Sequence, residues 1–176
     1  MEVRKLFLDE LGRPDIESFS ETEKLPIVVL LDNIRSGMNV GSVFRTADAL
    51  LIKSIYLSGI SATPPHKEIL KAAIGANETV DWKYFETSEE AVAALISQGY
   101  YCVGVEQTTA SQDIRTFEFK YPLALVFGNE VNGVSDEILP MMDAFIEIPQ
   151  YGTKHSFNVS VCAGIVLWEA FLKSPK

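Results

Sequence analysis

The sequence predicts an α/β fold, a mostly parallel sheet with helices on both faces. Short apolar runs alternate with segments whose apolar residues recur at helical spacing, from Pro26 almost to the end of the chain. The run at residues 27–31 is apolar without alternation, as expected of a strand buried on both faces, and 123–127 reads as a further strand. The length of 176 residues, with 47% hydrophobic and 22% charged residues, fits one well-cored domain.

Taken in order, residues 1–24 are polar and mixed and are expected to form an N-terminal extension lying against a main domain at 25–176. Residues 27–31 give the first strand. Val40, Val43, Phe44 and Ala47, with Leu50 and Leu51, follow at helical spacing. Residues 54–57 predict a second strand, and 67–73, behind Pro64 and Pro65, a short helix. Thr87 with Glu90 three residues later forms a capping box for a helix through Gln98, and Gly99 is its stop. Residues 100–105 and 123–127 are strands, followed by a short helix near 135–139 and a strand at 145–148. The last helix spans about 159–173, with Val161, Ile165, Trp168 and Leu172 on one face. In such a sheet a ligand lies at the carboxyl ends of the strands, so the loops after them carry the interest.

Bulk properties exclude several classes. The N-terminus has no apolar h-region and contains Asp9 and Glu10, against a signal or transit peptide. No apolar run approaches a membrane span. Cys102 and Cys162 sit in apolar segments and are expected to be buried free thiols in a reducing cytoplasm. Fifteen Lys and Arg against twenty-four Asp and Glu give a net charge of −9, which disfavours indiscriminate RNA binding but permits a local basic face. There is no G-x-G-x-x-G. Residues 128–135, GNEVNGVS, approach a phosphate loop but place Val134 where the lysine must stand. With His66 and His155 as the only histidines and no C-x-x-C, no metal site is expected. His155 beside Ser156 is a polar loop rather than a nucleophile and its base.

Three loops combine glycines with polar groups. In residues 32–48, Asn39 and Gly41 sit at a loop-to-helix junction and Arg45 on the second turn. In 125–137, Gly128 and Gly133 bracket an Asn129–Glu130 pair. In 146–164, Pro149 and Gly152 precede Ser156, Asn158 and a strongly apolar helix. Each alone is an ordinary turn: Asn39 as a cap, Arg45 as a solvated charge, Ser135 or Asp136 as a cap, Ser156 and Asn158 before an N-terminus.

Together and in this order the three resemble the signature motifs of the SpoU/TrmH family of SPOUT methyltransferases. N-x-G-x-x-x-R is met by Asn39, Gly41 and Arg45, and G-N-E by Gly128, Asn129 and Glu130. I-P-x-x-G followed by S-x-N-V-S is met by Ile148, Pro149, Gly152, Ser156, Asn158 and Ser160. The resemblance covers about 26–173, with Phe157 in place of the commoner leucine.

That resemblance implies a SPOUT fold whose C-terminal segment is tied in a deep trefoil knot, a homodimer with the active site completed across its interface, and methyl transfer from S-adenosylmethionine to a ribose 2′-hydroxyl of tRNA or, next, rRNA. It implies a catalytic set of Arg45, Asn39, Glu130, Ser156 and Asn158, with Glu130 and Ser156 orienting Arg45. Gly104, Val105, Glu106, Phe127, Gly128, Ile148, Phe157 and Asn158 are the expected cofactor contacts. Arg35, Arg45, Lys67, Lys71 and Lys154 are the expected RNA-binding rim. Two other readings stand beside it: a SPOUT-fold RNA- or cofactor-binding protein without catalysis, and a methyltransferase of a base or a non-RNA substrate.

Overall fold

The computed structural model describes residues 3–175, the Leu8 side chain aside; residues 1–2 of the expected extension and residue 176 lie outside the described residues. The elements are α1 (Ile16–Glu21), β1 (Leu25–Asp32), α2 (Gly37–Ala49), β2 (Ile52–Ser58), α3 (Lys67–Ala73), α4 (Ala76–Thr79), β3 (Asp81–Phe85), α5 (Ser88–Ser97), β4 (Tyr101–Val105), β5 (Ser111–Asp113), β6 (Leu123–Phe127), β7 (Ala144–Glu147) and α6 (Val159–Leu172). The strands form one sheet in the order β3-β2-β1-β6-β4-β7-β5, with every pair parallel. No helix among the described residues is long and apolar enough to cross a membrane.

Central β1 pairs with β2 (Leu30 opposite Tyr56) and with β6 (Leu30 opposite Val126). Its alternate residues feed two cores, which is why the run carries no polar side. Ile27, Val29 and Leu31 pack with Val40, Val43 and Phe44 of α2, Ile69 of α3, and Ala163, Val166 and Leu167 of α6. Val28 and Leu30 pack on the other face with Ala91, Val92 and Leu95 of α5. Gly41 allows α2 to lie against α3, because a Cβ there would press on the Ile69 carbonyl oxygen and Ala72.

The caps explain where the helices start. Ser36 Oγ accepts from the Asn39 amide at 3.3 Å, so α2 begins at Gly37, and Asn39 sits on its first turn rather than capping it. Thr87 Oγ1 accepts from the Glu90 amide at 3.2 Å, and Gly99 takes the left-handed conformation (φ +79°) just past α5. In the extension, Phe19 is buried and the Lys24 ammonium lies 3.1 Å from its ring centroid, anchoring α1.

The observed elements differ from the expected ones in three places. β3 (DWKYF) and β5 (SQD) are strands on the two edges of the sheet; their exposed Asp81, Lys83 and Gln112 hide the apolar pattern. The helix expected near 135–139 is a turn followed by a 3₁₀ turn at Leu139–Met141, because Pro140 cannot continue an α-helix. On α6 the side that meets the sheet carries Ala163, Val166, Leu167 and Ala170. Val161, Ile165, Trp168 and Leu172 share one face, as the spacing predicts, and that face points outward, 39–55% exposed.

One buried group ties the crossovers together at the carboxyl end of β1. The Asp32 carboxylate is fully buried. Its Oδ1 accepts from Ser88 Oγ at 2.5 Å, Asn33 Nδ2 at 2.7 Å and Ser135 Oγ at 3.0 Å, while Oδ2 accepts from the Ser135 amide at 2.7 Å. It thereby fixes the start of α5 and the loop after β6 to one point. Removing the carboxylate strands these donors, so Asp32→Ala should lower the unfolding free energy by about 3 kcal/mol. A urea titration showing a loss below about 1 kcal/mol would deny the anchor this weight.

Candidate cofactor and substrate site

The loop after β6 is the tightest segment at the sheet's carboxyl edge. Asn129 and Gly133 exchange two backbone hydrogen bonds, each 2.9 Å, closing a small hairpin. Gly128 leads into it with no room for a side chain, since a Cβ would overlap the Val134 amide nitrogen and the Gly133 carbonyl. Gly133 has φ +71° and a Cβ there would overlap the Glu106 carboxylate. The Asn129 side chain caps the turn from within: Oδ1 accepts from the Val131 and Asn132 amides at 2.9 and 3.2 Å. Its Nδ2 donates to the Asn33 carbonyl at 2.6 Å, tying the hairpin to the end of β1.

The three motif loops meet through side chains. Asn39 Nδ2 donates to Glu130 Oε1 at 3.0 Å, and Asn158 Nδ2 donates to Asn39 Oδ1 at 3.1 Å. Asn158 Oδ1 meanwhile accepts from the Ser160 and Val161 amides at 3.0 and 3.3 Å, capping α6. A chain of amides and one carboxylate thus links residues 91 and 119 positions apart in sequence. Gln107 Nε2 donates to the His155 carbonyl at 2.8 Å, holding the long loop after β7 against the loop after β4.

Between these loops lies a cavity of about 510 Å³. Of the expected cofactor contacts, Val105, Glu106, Phe127, Gly128, Ile148, Phe157 and Asn158 line it. Gly104 does not: it is buried within β4, with the Phe145 ring where a Cβ would go. Glu106 lines the wall, but its carboxylate is engaged with the protein. Oε2 accepts from the Val134 amide at 2.9 Å and Oε1 from the Gln107 amide at 2.8 Å, so it braces the 128–134 hairpin.

Of the expected catalytic set, Glu130, Ser156 and Asn158 line the same cavity and Asn39 is bonded to two of them. Arg45 is elsewhere. It faces a second, more open cavity of about 650 Å³ between α2 and α6, with Met38, Lys71 and Trp168. The structure brings Arg45 and Lys71 of the expected RNA-binding rim together there; Arg35, Lys67 and Lys154 are exposed and line neither cavity.

Sequence reading missed His155, Asn129, Gln107, Glu147 and Cys162 as cavity residues. The signal for Cys162 was present, four residues beyond Asn158 and so on the same face of α6. Cys162 is half-buried rather than buried, and its thiol is pushed up to about 11 by burial and then by the charge of Glu106. Cys102 is buried as expected, and burial followed by the charge of Asp143 raises it to about 11 too. Neither is a ready nucleophile.

The lining suits a small molecule with an apolar ring and a polar tail. Val105, Phe127, Ile146 and Ile148 form an apolar wall, and the glycine-bearing loops bring backbone groups to its edge. The volume lies within the usual range of such sites, roughly 300–1,000 Å³.

Comparison with known proteins agrees with this geometry. The SpoU rRNA Methylase family matches residues 26–168. A tRNA (guanosine(18)-2′-O)-methyltransferase of Aquifex aeolicus is 33% identical over 156 residues, covering 85% of this chain and 71% of that protein. A TrmH family protein of Staphylococcus haemolyticus is 31% identical over 158 residues, covering 90% of this chain and 63% of its own. Among solved structures, the A. aeolicus TrmH/SpoU tRNA modifying enzyme aligns with a TM-score of 0.79 at 28% identity, over 90% of this chain and 80% of that one. The AdoMet-bound rRNA methyltransferase of Sinorhizobium meliloti aligns at 0.78 and 29%, over 86% and 59%. The chain therefore spans about three fifths of the Staphylococcus and Sinorhizobium proteins. With the family matched across most of its length and the three motif loops joined around one cavity, the chain belongs to the SpoU rRNA Methylase family.

Proposed function

We propose that this protein is an S-adenosylmethionine-dependent RNA methyltransferase that methylates a ribose 2′-hydroxyl, in tRNA before rRNA. The observation that carries the reading is the hydrogen-bonded series Glu130–Asn39–Asn158, which gathers all three motif loops at the mouth of a cavity fit for a nucleoside-sized ligand. Relatives named as tRNA and rRNA methyltransferases, one of them solved with AdoMet, support it.

When bound, S-adenosylmethionine supplies a methyl group already activated on a sulfonium. The chain's own work is then alignment and the handling of one proton. Val105, Phe127, Ile148 and Phe157 would hold the nucleoside part, and Gly128 lets the backbone close on it. Asn39, Glu130 and Asn158 keep the loops in register. Arg45 would hold the ribose hydroxyl and an adjoining phosphate as a positioner. Ser156, on the cavity rim, would contact the same group.

Arg45 lies outside the cavity of its own chain, and we assign a homodimer in which one protomer brings it toward its partner's cavity. The outward stripe of Val161, Ile165, Trp168 and Leu172, continued by Met38 on α2, supports that assembly. We further assign the C-terminal segment the family's trefoil threading, in keeping with β7 inserted between β4 and β5 and α6 returned to α2. Free Cys102 and Cys162 fit a reducing compartment, and we place the protein in the cytoplasm. The net charge of −9 favours the second reading, a binding protein without catalysis, and the measurements below separate the two.

Tritiated methyl transfer into total RNA from cells lacking this protein should yield a 2′-O-methylnucleoside. Arg45→Ala should cut the rate about 100-fold while leaving cofactor affinity within about twofold; equal rates would remove Arg45 from the mechanism. Gly128→Ala should weaken cofactor binding by at least about tenfold in calorimetry, since its Cβ overlaps Val134. Unchanged affinity would move the cofactor out of this cavity. Trp168→Glu should convert a dimer to a monomer in analytical ultracentrifugation, and a wild-type chain that sediments as a monomer would overturn the assembly.

A further inference from the structure

The loop after β7 forms one wall of the 510 Å³ cavity and has little of its own to hold it there. Gln150, His155, Ser156 and Phe157 line the cavity from it. Every residue from Tyr151 to Asn158 is exposed, and no helix or strand includes residues 149–157. Asn158 fixes only the far end, where it caps α6 and bonds to Asn39. Among the described residues the backbone of 149–157 takes part in one hydrogen bond, in which the His155 carbonyl accepts from Gln107 Nε2 at 2.8 Å. A segment with so few paired backbone groups is ordinarily the easiest part of a fold to open.

The donor of that bond is itself firmly placed. Gln107 follows β4, an interior strand, and just before it the Glu106 amide donates to the Ile146 carbonyl at 3.1 Å, continuing the sheet. The Gln107 amide donates to Glu106 Oε1 at 2.8 Å, and Glu106 Oε2 accepts from the Val134 amide at 2.9 Å. Two neighbouring residues thus suspend two walls of the cavity from the end of one strand: Glu106 holds the 128–134 hairpin and Gln107 the 149–157 loop. The two attachments are not equal. The hairpin also closes on itself through Asn129 and Gly133, whereas the backbone of the loop has Gln107 alone among the described residues.

We infer that Gln107 is a positioning residue that holds loop 149–157 as a preformed wall of the cavity and so sets how long S-adenosylmethionine stays bound, an inference that rests on the reading of this cavity as the cofactor site. A ligand that meets a wall already in place does not have to order it on binding. Without the bond the loop still takes its place once the cofactor is bound, so the loss falls on retention of the cofactor and not on the chemistry of a loaded site. The donor of the Gln107 side chain matters here, not its bulk. Methionine, of similar length and apolar, removes the bond and little else.

Gln107 is exposed, so Gln107→Met should melt with the wild type. Lys154, exposed within the loop, offers trypsin a cleavage point that reports loop opening without any activity. Cleavage after Lys154 should be about fivefold faster in the ligand-free variant than in the ligand-free wild type, and S-adenosylhomocysteine should slow it in the wild type. In surface plasmon resonance the variant should release S-adenosylhomocysteine about fivefold faster, with the association rate within about twofold of the wild type. In methyl transfer into total tRNA from cells lacking this protein, KM for S-adenosylmethionine should rise by the same factor while kcat stays within about twofold. Unchanged cleavage after Lys154, faster cleavage with unchanged release, or a fall in kcat at constant KM would each overturn the inference and leave the methyltransferase reading standing. So would wild-type cleavage that S-adenosylhomocysteine does not slow, a result that requires no variant. A wild-type chain that does not bind S-adenosylhomocysteine would overturn both.

Discussion

The buried Asp32 carboxylate is the constraint on which the remainder of the site depends. A parallel sheet delivers its carboxyl ends to one edge, where unpaired backbone and loop groups must find partners. Burying a charge there is costly unless it is surrounded by donors. Four donors from three separate crossovers supply that compensation: Asn33, Ser88 and, twice, Ser135. The carboxylate is therefore both a demand and a fastener. Once it is satisfied, the loop after β6 has one place to lie, and Gly128 and Gly133 are the residues that let it turn there.

Much of the fold was readable because its central pieces obey simple rules. The runs that became β1 and β6 are apolar on both sides, and both of their faces are covered. Thr87 announced α5, and 67–73 announced α3. The unread pieces lie where local sequence and tertiary setting disagree. β3 and β5 occupy the edges, where polar residues are tolerated, so neither showed strand periodicity. Helix α6 is apolar nearly all round, and sequence alone could not say which side faces the sheet; the small Ala163 and Ala170 settle it by allowing close approach.

The site was legible as three motifs and illegible as a set of bonds. Residues close in a motif need not point together: Arg45 is six positions from Asn39, which turns it to another face of α2 and into another cavity. Gly104 and Glu106 flank Val105 in sequence, yet the first is packed under Phe145 and the second spends its carboxylate on backbone amides. Such assignments depend on partners from distant parts of the chain. The acidic surplus likewise says nothing of where the cations sit, and Arg45 and Lys71 share one groove despite it.

Helix α6 carries Asn158 at its N-cap, Cys162 on the cavity wall and Trp168 in the outward groove. Its fourteen residues span about 21 Å as one rod. The tilt of the cavity rim and the tilt of the outward apolar stripe are therefore a single mechanical variable. Any coupling between what seats against its two ends is, by linkage, equal and reciprocal. In this architecture the cavity rim and the outward apolar stripe are two handles on the same lever.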